Sequence, residues 1–77
     1  MNIKVLGTGC AKCNALEKAV REAVQTAGIQ AEVEKVEDIM DILGYGISRT
    51  PGLVINDRVV LSGRVPDQKE LIKLLTQ

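Results

Sequence analysis

Gly7-Thr8-Gly9-Cys10-Ala11-Lys12-Cys13 joins a short apolar run, Ile3 to Leu6, to a long helical pattern. Its two cysteines are the only ones in the chain. A thiol at a helix N-terminus sits at the positive end of the aligned peptide dipoles, which favours thiolate over thiol. A second thiol three residues on lies about one helical turn away, within reach of a small disulfide. Isolated cysteines often pack as small hydrophobes. A CxxC at a strand-to-helix junction points instead to thiol chemistry.

Residues 2 to 6 read as a mostly buried strand through Ile3, Val5 and Leu6. Residues 11 to 27 repeat apolar groups at Leu16, Ala19, Val20, Ala23, Val24 and Ala27, with Glu17, Lys18, Arg21, Glu22 and Gln25 opposite. That spacing predicts a helix, stopped by Gly28 as a C-terminal cap. Ala31 to Val36 alternates charged and apolar residues and reads as a half-exposed strand. Glu37 to Leu43 reads as a short helix whose Ile39, Met40, Ile42 and Leu43 are core candidates, ended by Gly44 and Gly46 around Tyr45. Leu53 to Ile55 and Val59 to Leu61 are two short strands joined at Asn56-Asp57, a pair suited to a tight hairpin. Asp67 and Glu70, after Pro66, form a capping-box pattern, and Leu71, Ile72, Leu74 and Leu75 stripe a last helix.

The expected architecture is therefore α/β, in the order βαβαββα. A strand-helix-strand start favours two parallel strands; the closing hairpin adds antiparallel ones. The sum is a four-stranded mixed sheet flanked by helices. With 77 residues and no linker or repeat, residues 1–77 are expected to form a single domain.

Composition narrows function. Ten basic and ten acidic residues cancel, and Tyr45 is the only aromatic residue, so neither a polyanion-binding face nor a base-stacking platform is present. No nucleic-acid partner is expected. No apolar run reaches membrane-spanning length, and the first seven residues are too short and interrupted for a secretory leader. These features predict a cytoplasmic protein without membrane association. Thiols stay reduced there, and a CxxC is rarely a structural staple. With no histidine, Cys-His nucleophilic chemistry is excluded.

Gly9-Cys10-Ala11-Lys12-Cys13, followed about 40 residues later by Thr50-Pro51 ahead of Gly52 to Val60, with Gly63 and Pro66 beyond, carries a resemblance across nearly the whole chain. The chain resembles the thioredoxin fold in its minimal, glutaredoxin-sized form, and looks like the small redox-active disulfide proteins of archaea and bacteria. Two departures stand out. The tetrapeptide Cys10-Ala11-Lys12-Cys13 is neither the Cys-Gly-Pro-Cys of thioredoxins nor the Cys-Pro-Tyr-Cys of many glutaredoxins, and no tryptophan or glutathione-site tyrosine stands beside it. These put the substrate and reductant in doubt, and leave the fold standing.

X-Pro bonds in folded proteins are cis only about 5–6% of the time, so Thr50-Pro51 reads as trans on that ground. The resemblance implies the reverse, a cis-proline beside the CxxC, with the Thr50 backbone offered to an extended substrate segment. The chemistry it implies is thiol-disulfide exchange without a bound cofactor or metal, on disulfide-containing proteins or small molecules. A thioredoxin-reductase-like protein or another dithiol would restore the thiols, and a monomer is expected. Cys10, first in the turn and near the free amides of the helix, is the expected nucleophile. Cys13, one turn in, is the expected resolving thiol. Lys12 can add positive charge, or be an ordinary solvated lysine. Tyr45 reads as a surface residue on a Gly-Tyr-Gly loop, Lys4 has no assigned role, and Gly7 and Gly9 are read as turn glycines.

Two rival classes share the cysteines. A Cu(I) carrier of comparable length also places a CxxC after its first strand, because soft thiolates suit Cu(I). Such domains end in a strand, whereas this chain ends in a helical pattern. Zinc wants four cysteine or histidine ligands, and the chain has two. A module that senses redox state without turnover would use the same pair. Dithiols of this fold span roughly −270 to −120 mV, about 7 kcal/mol for two electrons. With Lys12 the only local help to a thiolate, the balance favours a reductase or electron carrier.

Overall fold

The computed structural model describes residues 1–77. Strand β1 (Asn2–Leu6) leads into helix α1 (Ala11–Ala27), strand β2 (Glu32–Val36) and the short helix α2 (Ile39–Gly44); strands β3 (Gly52–Ile55) and β4 (Arg58–Ser62) and helix α3 (Gln68–Leu75) follow. The strands form one sheet in the order β2-β1-β3-β4. β1 and β2 run parallel, from Asn2 opposite Glu32 to Leu6 opposite Val36. β1 and β3 are antiparallel, with Ile3 opposite Ile55 and Leu6 opposite Gly52. β4 closes the sheet antiparallel to β3, with an irregularity in register at Leu53/Val54. The expected βαβαββα order and mixed sheet are what forms.

Local signals place the element ends where backbone chemistry requires them. Gly28 adopts the left-handed conformation (φ 65°, ψ 30°) after α1, and its N–H meets the last carbonyls of the helix. Asn56 and Asp57 both take positive φ (50° and 66°), which these two residue types tolerate in a two-residue hairpin turn. Asp67 caps α3 through its carboxylate, which accepts the Glu70 N–H at 2.8 Å. The expected capping box is only half made, because the Glu70 side chain turns to the Arg64 guanidinium instead.

Alternation along β1 divides the core into two layers. Ile3 and Val5 pack with Leu16, Val20 and Ala23 of α1, Leu53 of β3, and Leu71 and Leu75 of α3. Leu6 and Val54 face the other way, against Ile42 of α2 and Ile47. One sheet face therefore carries α1 and α3, and the other carries α2. The expectation that all four apolar residues of α2 are core is corrected here. Ile42 is buried, but Ile39, Met40 and Leu43 are 62%, 72% and 56% exposed. A six-residue helix spans under two turns and lays a single narrow side on the sheet.

Candidate functional site

The sheet register builds the site. Because Leu6 pairs with Gly52, the C-terminal end of β1 lies beside the N-terminal end of β3. The chain leaving β1 toward the cysteines thus runs alongside the segment that delivers Thr50-Pro51. Thr8 and Thr50 line one cavity of about 210 Å³, together with Ile42, Leu43, Ile47 and Arg49. The loop that leads to the cysteines and the loop that carries Thr50 thus border one cavity.

Cys10 is the N-cap of α1, with extended backbone (φ −70°, ψ 163°). Its sulfur accepts the Cys13 N–H at 3.2 Å, and its carbonyl accepts the Asn14 N–H at 3.0 Å. The sulfur thus stands where a serine or aspartate oxygen usually satisfies the free amides of a helix start. Cys10 and Cys13 are joined as a disulfide, with Cα atoms 5.1 Å apart. Their surroundings differ sharply: Cys10 is exposed and Cys13 has no exposed surface. Lys12 is exposed on the first turn.

The Thr50-Pro51 peptide bond is cis. Pro51 is buried and Thr50 is exposed. The Pro51 carbonyl is held by the Gly63 N–H at 2.8 Å, which ties this loop to the end of β4. The backbone N–H and C=O of Thr50 make no hydrogen bond within the protein.

Two readings from the sequence change. Tyr45 is half-buried against the Leu6 cluster, and its hydroxyl accepts the Lys4 ammonium at 3.1 Å. That hydrogen bond, followed by the electrostatic attraction of the Tyr45 oxygen, holds Lys4 above the usual lysine value. Lys4 therefore has a structural partner, and Tyr45 is no free surface residue. Gly9 takes positive φ (85°) as a turn glycine should, but Gly7 does not. Gly7, the residue after β1, is buried against Cys13 of α1, a contact that residue type alone does not announce.

A cysteine pair opening a helix that follows the central strand of a β2-β1-β3-β4 sheet, beside a cis-proline loop, is the arrangement of thioredoxin-fold redox proteins. The chain belongs to the thioredoxin domain family, which matches residues 1–76. It is 43% identical over 76 residues to a thioredoxin of Methanothermobacter thermautotrophicus, covering 99% of both chains. It is 39% identical over 69 residues to a thioredoxin of Methanocaldococcus jannaschii, covering 90% of this chain and 79% of that one. A probable thioredoxin of Archaeoglobus fulgidus is 36% identical over 69 residues, covering 86% of this chain and 75% of the relative. With its CxxC-spaced pair, the molecule is a thiol-disulfide oxidoreductase acting on disulfide substrates. No helix in it is long and apolar enough to cross a membrane.

Proposed function

We propose that Cys10 is the nucleophile and Cys13 the resolving thiol in the reduction of protein disulfides. The observation that carries this assignment is the asymmetry of the pair: an exposed sulfur at the helix N-terminus, backed by one with no exposed surface. The amide of Cys13 and the helix dipole favour negative charge on the Cys10 sulfur.

The Cys10 thiolate attacks one sulfur of the substrate disulfide. A mixed disulfide forms and one substrate thiolate leaves. Cys13, having given up its proton, attacks Cys10 Sγ, and the second substrate thiolate leaves as the Cys10–Cys13 disulfide closes. Two electrons have passed to the substrate, and the enzyme stands in the disulfide state. A thioredoxin-reductase-like protein or another dithiol returns it to the dithiol form.

Thr50 and Pro51 hold the substrate during the attack. The free N–H and C=O of Thr50 support this role, since an extended segment can pair with them as an added strand. The cavity beside Thr50, with Leu43 and Ile47 in its wall, receives an apolar side chain of that segment. The protein works as a monomer in the reducing cytoplasm, where this direction of electron flow is sustained.

The test is insulin disulfide reduction by catalytic amounts of protein, with a dithiol as terminal reductant. Wild type turns over many times and Cys10→Ser does not turn over. Cys13→Ser reacts with substrate and stalls as a mixed disulfide visible by mass. Absence of wild-type turnover above the dithiol background would overturn the reading, and Cu(I) titration would then decide whether the pair is a metal carrier.

A further inference from the structure

Gly7 has no positive φ to explain its choice of residue. It is buried at the end of β1, and its N–H donates to the Val36 carbonyl at 3.0 Å, which holds it in line with β2. A Cβ placed on Gly7 would lie 2.7 Å from Cys13 Cβ and closer still to Cys13 Sγ. The Cys13 sulfur thus occupies the space that any side chain at position 7 would fill. Neither partner has an easy retreat: Gly7 is pinned to β2, and Cys13 is fully buried in the first turn of α1.

We propose that Gly7 is a positioning residue of the redox pair. Its missing side chain seats the Cys13 sulfur and so sets the balance between the disulfide and dithiol states. The inference rests on the Cys10–Cys13 pair cycling between those states. In the disulfide, the Cys13 sulfur is tethered to Cys10 and cannot turn away from a methyl group at position 7. In the dithiol the tether is gone, and rotation about the Cys13 Cα–Cβ bond can relieve the sulfur contact, the closer of the two. The 2.7 Å contact with Cys13 Cβ burdens both states alike. An added methyl therefore penalises the oxidised form more than the reduced one.

The test equilibrates the protein with glutathione: oxidised protein and two glutathione thiols give reduced protein and one glutathione disulfide. Gly7→Ala is expected to shift this equilibrium toward the dithiol by at least about tenfold, a rise of about 30 mV in potential. Ala23→Gly, about 15 Å further along α1, loosens the core without touching the cysteines. Its equilibrium stays within about twofold of wild type, as expected for independent sites. Urea unfolding of both redox forms supplies a second readout. Gly7→Ala costs the oxidised form more than the reduced form, and selective failure of the oxidised form to fold supports the proposal. An unshifted glutathione equilibrium, or equal loss of folding in both forms, overturns it and leaves Gly7 a packing residue. Insulin turnover by the wild type is unaffected by either result, so the catalytic assignment stands or falls separately.

Discussion

The backbone N–H of Cys13 donates to the sulfur of Cys10 at 3.2 Å, so each member of the redox pair bears on the other through the first turn of α1 as well as through their bond. Reduction removes the bond but leaves the helix start, and with it an amide directed at the outer sulfur. The inner sulfur has no exposed surface and lies against Gly7 at the start of α1.

Alkylation of the reduced protein should follow this asymmetry. Brief exposure to iodoacetamide labels Cys10 at least about tenfold faster than Cys13, since reactivity tracks thiolate character and access. Peptide mass mapping at timed quenches reads the two rates. Equal rates, or faster labelling of Cys13, would contradict the assigned roles.

Leu71 has no exposed surface and joins α3 to the layer formed by β1, β3 and α1. Leu71→Ala should destabilise the protein by about 2–5 kcal/mol, the range for a buried leucine truncated in a packed core. Urea unfolding checks it. A loss well under that range would mean that α3 is not held by this contact.

Asp67 satisfies the Glu70 amide, one of the free amides in the first turn of α3. Asp67→Ala should cost about 1 kcal/mol in the same assay, as N-cap replacements generally do. Asp67→Asn keeps an accepting oxygen and should recover most of the loss.

Glu70 is held below the usual carboxylate range, chiefly by its hydrogen bond from Arg64; partial desolvation opposes this, and the Arg64 charge adds a smaller lowering effect. Its folded value is depressed, so its contribution to stability is present above the unfolded value and is lost as pH falls through the folded value. Stability measured from neutral pH down into the acid range should therefore fall less steeply in Glu70→Gln than in wild type. The two curves should converge at the acid end. The effect is small because the pair is exposed to solvent and salt. Parallel curves would show that the pair does not contribute.

The features legible in the sequence are those imposed by a few neighbouring residues. Gly28 after an apolar period of helical spacing marks a left-handed stop, and Asn56-Asp57 between apolar strands marks a turn with two positive φ values. The CxxC after an apolar strand marks a thiol at a helix start, and Cys10 does stand at the N-cap of α1. The cis bond at Thr50-Pro51 is different, because proline statistics oppose it and only likeness to a family suggests it. The apolar residues of α2 mislead for a geometric reason. Composition says that Ile39, Met40 and Leu43 are apolar, but not that their helix is too short to bury more than one side.

By itself the sequence determined the order of elements, their caps and turns, and the presence of a cysteine pair opening a helix, because dihedral preference and apolar period act within a few residues. The tertiary structure decided what those elements bring together. The antiparallel register of β1 and β3 sets the cysteine loop beside Thr50. The partnership of Lys4 with Tyr45 likewise exists only after the sheet is assembled. Such contacts join different elements, so they depend on strand register and helix placement that no local window of sequence contains.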